Sequence, residues 1–138
     1  MSNEIIKDTV KAAARNLVDQ LSPHWKSISK ATLEESPSKG TPRPEFHTKG
    51  SFLYVAYENK KVLYVGESSI SVKRRLLHDG TGAHNKKGWY ERVTHVCYAR
   101  FSHDELPEPY RKMLEQALTI ILEPEFYGRS AKAEAADE

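Results

Sequence analysis

The sequence contains one cysteine and no long apolar run among its 138 residues. Cys97 alone cannot form an intrachain disulfide or supply the thiolates of a zinc cage, and it lies in an apolar segment where a buried thiol is common. The longest apolar stretch, residues 117–122, includes a threonine, so we expect no membrane span and no membrane partner. The first residues lack a basic segment followed by an apolar one, which predicts no signal peptide and a cytoplasmic protein.

The remaining composition is that of one globular domain. Apolar residues make up 38% of the chain and the mean hydropathy is -0.66. That fraction suffices for a modest core, and the length is typical of a single domain. The composition therefore argues against wholesale disorder and against a multidomain enzyme.

Charge is nearly balanced overall but unevenly distributed. The chain has a net charge of +2, whereas residues 51–103 carry nine lysines and arginines against four acidic residues. Such a segment can present a cationic face to a polyanion such as nucleic acid. An ordinary solvated surface is the alternative reading of the same charges.

Hydrophobic periodicity and turn residues divide the chain into alternating helices and strands. We predict a helix over 3–21, a linker over 22–50 with a short element near 25–33, strands over 52–57 and 62–66, a helix over about 69–79, a loop over 80–88, a strand over 93–101, and a helix over 109–122. The resulting fold is α/β (α+β): a small three-stranded, mainly antiparallel sheet flanked by helices, with an N-terminal helical arm. The predicted units are the helix and linker of 1–50, a domain of 51–129, and a disordered tail of 130–138.

The first two strands form a predicted hairpin whose faces follow from its loop length. A three-residue loop of 58–60, in which Asn59 adopts the left-handed conformation, gives one aliphatic and one aromatic face. The predicted cross-strand pairs are Leu53 with Val65, Val55 with Leu63, Tyr54 with Tyr64, and Phe52 with Gly66. The two tyrosines are then either ordinary cross-strand packing or two phenols directed to a common site.

Two charged groups follow on helices. With 100° per residue, Arg74 and His78 are neighbours one turn apart while Arg75 points elsewhere, an arrangement suited to binding a phosphate and handling a proton. On the last helix, Glu115 is predicted to emerge at the edge of the core. Its partner is either a metal ion or Arg111 at the preceding turn.

The order of these residues matches a known pattern: Leu53-Tyr54-Val55, then Tyr64-Val65-Gly66-Glu67-Ser68, then Arg74-x-x-x-His78, then a helical Glu115. The pattern resembles the GIY-YIG nuclease superfamily over roughly residues 51–128. The sequence departs from it at Phe52, which replaces a glycine, at Leu53, which replaces an isoleucine, and at Gly128, where a polar residue is frequent.

The resemblance implies a role for each matching residue. Tyr54 activates or positions the attacking water with His78 near it, Tyr64 and Arg74 hold the scissile phosphate, and Glu115 binds one divalent metal ion. One carboxylate suffices for Mg²⁺, which completes its coordination with water and phosphate oxygens. A phenol that acts as a base needs a pKa lowered from about 10 toward neutrality, and we expect Arg74 or a metal-linked network to lower it.

The resemblance therefore implies a metal-dependent endonuclease that hydrolyses phosphodiester bonds in DNA, with Mg²⁺ or another divalent metal such as Mn²⁺ as cofactor. Duplex DNA is the expected partner, and a homo-oligomer is compatible with the sequence. Candidate nucleic-acid contacts are Lys73, Arg75, Lys86, Lys87 and Trp89, although Trp89 and Tyr90 are equally suited to hold the start of the third strand. A ribonuclease acting on RNA, and an inactive nucleic-acid-binding or interaction module, are the alternatives.

Overall fold

The computed structural model describes residues 3–35, 40–78 and 88–126, apart from the side chains of Asn3 and His78. The helices are α1 (Asn3–Leu21), α2 (Lys30–Glu34) and α3 (Glu108–Leu122), with 3₁₀ turns at Ser22–His24, Glu45–His47 and Gly88–Arg92 and a π-helix at Arg74–His78. The strands are β1 (Lys26–Ser29), β2 (Ser51–Glu58), β3 (Lys61–Ser68) and β4 (His95–Phe101). Within the described part of the chain, no helix combines the length and apolar character that crossing a lipid bilayer requires.

The four strands form one antiparallel sheet in the order β1-β4-β2-β3. The mixed class of helices and antiparallel sheet is confirmed, but the predicted number of three strands is wrong. The additional strand, β1, lies in the segment predicted as a linker, and only Ile28 among its four residues is apolar and partly buried. Because β1 pairs with β4, residues 26–29 belong to the same sheet as the hairpin.

The register of the hairpin differs from the predicted one by two residues. Tyr54 lies opposite Gly66, and Val55 lies opposite Val65. The predicted pairs of Tyr54 with Tyr64 and of Phe52 with Gly66 are therefore wrong. A shift by two residues nevertheless leaves Tyr54 and Tyr64 on a shared face, because the side-chain period of a strand is two.

A short turn and a bulge together produce this register. The turn has two residues, Asn59 and Lys60, and Asn59 adopts the predicted left-handed conformation with φ of 55°. The ladder skips Leu63, since Ala56 pairs with Tyr64 and the next residue of β2 pairs with Val62. A two-residue turn alone would place the tyrosines on opposite faces. The unpaired residue in β3 adds one position, so that Tyr54 and Tyr64 share a face.

Each face of the sheet carries its own hydrophobic core. The first face is largely aromatic and is covered by α2, the π-helix and the 3₁₀ turns at Glu45–His47 and Gly88–Arg92; its buried residues include Phe46, Phe52, Tyr54, Leu63, Tyr64, Leu76, Trp89, Tyr90 and Tyr98. The second face is mainly aliphatic and is covered by α3, with α1 packed on α3; its buried residues are Leu21, Leu53, Val55, Val65, Leu106 and Leu118. Leu63 thus lies on the aromatic face, because of the bulge, and not on the predicted aliphatic one.

The segment that follows α3 runs beside β3. The helix ends at Glu123, whose φ of 48° is left-handed, and the chain then returns so that Phe126 N donates to Leu63 O over 2.9 Å in a parallel bridge. The Arg92 guanidinium pairs with Glu58 at 2.9 Å and with Glu125 at 2.5 Å. These contacts hold the segment after α3 against the β2–β3 hairpin.

Candidate functional site

Tyr54 and Tyr64 meet on the aromatic face of the sheet, as predicted. Their ring centroids are 6.2 Å apart, and the exposed fractions of the two residues are 0% and 5%. A Cβ built on Gly66 would lie 2.7 Å from Cε2 of Tyr54 and still closer to its hydroxyl end. The Tyr54 ring therefore occupies the space that the missing side chain of Gly66 leaves, which explains why the hairpin places these two residues opposite each other.

Trp89 closes the other side of the tyrosine pair. Its ring stacks on Tyr64 with a centroid distance of 4.8 Å and an interplanar angle of 14°, and only 4% of Trp89 is exposed. This packing supports a structural role for Trp89, which the sequence offered as the alternative to a nucleic-acid contact.

Burial determines the protonation of both phenols. Burial raises the pKa of Tyr54 well above its usual value, and the neighbouring Tyr64 raises it further. Burial likewise raises the pKa of Tyr64 to about 12, while the charge of Arg75 opposes the shift. Both directions are opposite to the lowered pKa that we expected for a catalytic base, because desolvation outweighs the nearby cation. In this environment the phenols are neutral hydrogen-bond donors.

The cation at the tyrosines is Arg75, although the sequence pointed to Arg74. Arg75 acts to lower the pKa of the Tyr54 phenol by its charge and by hydrogen bonding, and its charge acts in the same direction on Tyr64. Arg75 is half-buried, whereas Arg74 is exposed. The backbone of His78 belongs to the same helix, but its side chain lies outside the described residues.

The helix that carries the two arginines is wound differently from the predicted one. The prediction assumed an α-helix, but Arg74–His78 is π-helical. A π turn closes i to i+5 hydrogen bonds, so each residue advances by less than the α-helical 100°. Angular positions computed for an α-helix are therefore approximate from Arg74 onward. The buried residues just before and within the turn, Val72 and Leu76, keep their predicted core positions.

Glu115 reaches the site from the other face of the sheet. It is half-buried on α3, as predicted for the edge of the core. Burial raises the pKa of its carboxyl group, and the nearby charge of Glu67 raises it further. The charge of Glu115 in turn raises the pKa of both phenols, so the Glu115 carboxylate lies within electrostatic range of Tyr54 and Tyr64.

Arg111 pairs with Glu67 and with Ser51. Its Nε donates to Glu67 Oε2 over 2.8 Å, and its Nη1 donates to Ser51 Oγ over 3.2 Å. Ser51 Oγ in turn donates to the Leu106 carbonyl over 2.6 Å. The guanidinium of Arg111 is therefore committed to a buried network, and the alternative in which it serves as the helical partner of Glu115 loses its basis.

The donor set suits a hard divalent cation that keeps most of its water. Two carboxylates, Glu115 and Glu67, are close enough to influence each other electrostatically, and a cation would relieve the raised pKa of Glu115. Mg²⁺ commonly takes one or two protein carboxylates and fills its shell with water and phosphate oxygens. In the parts of the chain that the structure describes, no cluster of three or more His, Cys, Asp or Glu side chains could enclose a metal ion, so an all-protein cage is not available there.

Two of the proposed nucleic-acid contacts are buried in the structure. Lys73 is 3% exposed and donates to the Glu35 carbonyl, and Trp89 is stacked on Tyr64. Neither side chain is available to DNA in this conformation. Lys86 and Lys87 lie outside the described residues.

Sequence reasoning missed two members of the site. The sequence pattern contains Glu67 but gives it no role. It offers Arg111 only as a partner of Glu115. A signal for the pair existed: Glu67 falls on the aliphatic face of β3 two residues after Val65, where a carboxylate requires a cationic partner from the covering helix. Arg75 was assigned to nucleic-acid contact away from the tyrosines, and the change of helical winding could not be read from residue types.

Comparison of the chain with protein-family models, with curated proteins and with solved structures finds no match.

Proposed function

We propose that this protein is a divalent-metal-dependent endonuclease that hydrolyses phosphodiester bonds in DNA. The observation that supports the proposal is the pairing of Tyr54 with Tyr64, whose ring centroids are 6.2 Å apart, within electrostatic range of the Glu115 carboxylate. Glu115 is distant in sequence from the two tyrosines, and the three residues match the order of the GIY-YIG pattern. A pair of tyrosines that served only cross-strand packing would have no need of a carboxylate and an arginine beside it.

Because burial keeps both phenols neutral, we expect them to position other groups and not to act as bases. Hydrolysis adds water across one P–O bond: the hydroxyl joins phosphorus, and a proton goes to the leaving oxygen. As neutral donors, Tyr64 can hold a phosphate oxygen and Tyr54 can fix the groups around it. Glu115, with Glu67 near it, would hold Mg²⁺ or Mn²⁺. When bound, such a cation polarises the phosphate and stabilises the leaving oxygen.

The test is cleavage of plasmid DNA, and in parallel of RNA, with Mg²⁺, with Mn²⁺ and with EDTA. We expect the purified chain to nick or linearise plasmid only with a divalent cation. Glu115→Gln should keep the fold and the DNA affinity measured in EDTA but lose cleavage, because it preserves volume and removes the charge that holds the cation. Tyr54→Phe should lower the rate on the order of 10² or more.

Glu123→Gln is the matched control for Glu115→Gln, because it removes an exposed carboxylate at the end of the same helix. Cleavage by this variant should equal that of the parent. Full activity of both Glu115→Gln and Tyr54→Phe would show that the cluster is structural and that the chemistry lies elsewhere. Cleavage of RNA alone would reassign the substrate.

The second candidate is a catalytically inactive nucleic-acid-binding or interaction module. The enclosure of the phenols favours it: Tyr54 and Tyr64 are nearly inaccessible, and Trp89 lies against Tyr64. A parent protein that binds DNA but cuts neither DNA nor RNA with any divalent metal would establish this reading in place of the nuclease.

A further inference from the structure

We infer that the outer face of the α1–α3 helix pair is the interface of a symmetric homodimer of this chain. The outer face consists of the exposed apolar side chains of the two helices: Ile5, Ile6, Val10, Tyr110, Met113 and Ile120. Dimer formation is independent of the proposed function, because it concerns association and not the chemistry at the tyrosines.

Exposed apolar side chains are concentrated on these two helices. Among the residues that the structure describes, every exposed large hydrophobic side chain except Ile70 belongs to α1 or α3. α1 packs on α3, and both helices line a groove of about 440 Å³, with contributions from Leu17, residues 104–107, Tyr110, Met113 and Leu114. Single exposed apolar residues are ordinary on a monomer, whereas an apolar patch shared by two elements indicates an interaction site.

The outer face carries no charged side chain. With 100° per residue, the charged residues of α1 fall within an arc of about 120° and those of α3 within about 100°. The exposed apolar side chains of each helix lie outside its charged arc. In a twofold interface the same patch of each copy meets its equivalent, so charges near the axis would face like charges. An uncharged face is therefore compatible with a second copy of itself and offers no ion pair to a charged partner.

The rest of the chain has few apolar side chains with which to cover this face. Residues 1–2, 36–39, 79–87 and 127–138 lie outside the described part, and their large apolar side chains are Met1 and Tyr127. A second copy instead supplies six exposed apolar side chains that match the six of the first. The apolar surface of the face is thus best matched by its own equivalent.

The size of the outer face is of the order that a dimer contact requires. At 1.5 Å per residue, α1 is about 28 Å long and α3 about 22 Å long, and packed helices lie about 8–10 Å apart. Two such helices present roughly 500 Å² in projection, and protruding side chains make the accessible surface larger than its projection. A standard interface buries about 800 Å² of each partner, so the two helices together provide enough surface for a stable contact.

Sedimentation equilibrium of the full chain tests the inference. The parent should form a reversible dimer. Val10→Glu and Met113→Glu should each raise the dimer dissociation constant by at least about 10², because twofold symmetry removes two apolar side chains and adds two charges to the contact. Glutamate is a good helix former, so both variants should keep their helices. Ile70→Glu is the matched control, since it makes the same kind of change at an exposed apolar residue outside α1 and α3, and it should dimerise like the parent.

Met113 provides a second readout on the outer face itself. The chain has two methionines, Met1 and Met113, so the methyl NMR signal of Met113 is readily assigned. This signal should shift when the parent is diluted through the dissociation constant, and it should shift in the same way in Ile70→Glu. If circular dichroism shows that Val10→Glu or Met113→Glu is unfolded, the dilution shift of the parent decides the question.

Three outcomes would overturn the homodimer. One is a monomer at every concentration up to about 0.2 mM, well above the micromolar dissociation constants of weak standard-size interfaces. Another is a dimer whose dissociation constant neither glutamate variant changes and whose Met113 signal ignores dilution, because the contact would then lie elsewhere. The third is a monomer that sediments with vesicles of phosphatidylcholine and phosphatidylserine and loses this binding in Met113→Glu, which would assign the face to a lipid surface.

Discussion

The two faces of β3 contribute to the site in opposite ways. On one face Tyr54 and Tyr64 are enclosed by Gly66 and Trp89, where shape determines the arrangement. On the other face Glu67 and Arg111 form an ion pair of which only 18% and 4% of the side chains are exposed, and charge determines the arrangement. The stability of the tyrosine face should therefore fall when volume is added, and that of the carboxylate face should fall when a charge is removed.

The largest expected effect concerns the carboxylate face. Arg111→Met should lower the free energy of unfolding by about 3 kcal/mol, because it leaves Glu67 partly buried without its cation. Urea unfolding monitored by Trp fluorescence measures this change. Lys112→Met is the control, since its pair with Glu108 is exposed, and its unfolding midpoint should stay close to that of the parent. Equal midpoints for the two variants would mean that the Arg111 pair does not hold this face together.

An intermediate effect is expected on the tyrosine face. Gly66→Ala forces a methyl group into the buried Tyr54 ring, which should cost about 2 kcal/mol by overpacking and displace the phenol from Arg75. Gly88→Ala is the matched control, because a Cβ there meets no atom within 4 Å. A Gly66→Ala variant as stable as Gly88→Ala would show that the ring yields easily and that shape does not govern this face.

The smallest expected effect is a loss of stability in alkali. The folded pKa of Tyr64 is raised to about 12 by burial, so its contribution to stability is complete below pH of about 10, the pKa of an exposed phenol. It declines as the pH rises from there through the folded pKa. At pH near 11 the loss should be about 1.4 kcal/mol.

Urea unfolding near pH 9 and pH 11 measures the alkaline loss, and Tyr64→Phe should lose less stability over that interval than the parent. Tyr110→Phe, a change at an exposed tyrosine, should behave like the parent. An identical loss in Tyr64→Phe would assign the alkaline sensitivity to other groups.

The sequence predicted those elements whose periodicity is undisturbed. Residues 3–21 carry a helical period and form α1, and α3 begins at Glu108 after Pro107, where proline favours a helix start. The shared face of the tyrosines was also predicted, because side-chain alternation survives a register shift of two residues. Glu115 was placed correctly at the core edge, since α3 keeps the α-helical period over its length.

Local departures from regular geometry account for most of the errors. The bulge at Leu63 shifts the strand period by one residue, and the π turn at Arg74–His78 changes the helical period by a fraction of a turn. Residue types alone do not indicate either change. β1 was missed because a short, polar edge strand has no hydrophobic alternation. On α3, Tyr110 and Met113 are 63% and 61% exposed, while Arg111 is buried between them, the reverse of what residue hydrophobicity predicts.

The return of the chain beside β3 has a consequence for association between molecules. β3 is an outer strand of the sheet, and an outer strand offers unpaired backbone groups on which another chain can add a strand and begin to aggregate. Glu125 and Phe126 donate to the carbonyls of Val62 and Leu63, and Arg92 and Lys61 hold Glu125 there. At the opposite margin, β1 is only four residues long and begins with Lys26. The returning segment thus covers the start of β3 against strand addition, and the brevity and charge of β1 disfavour it at the other margin.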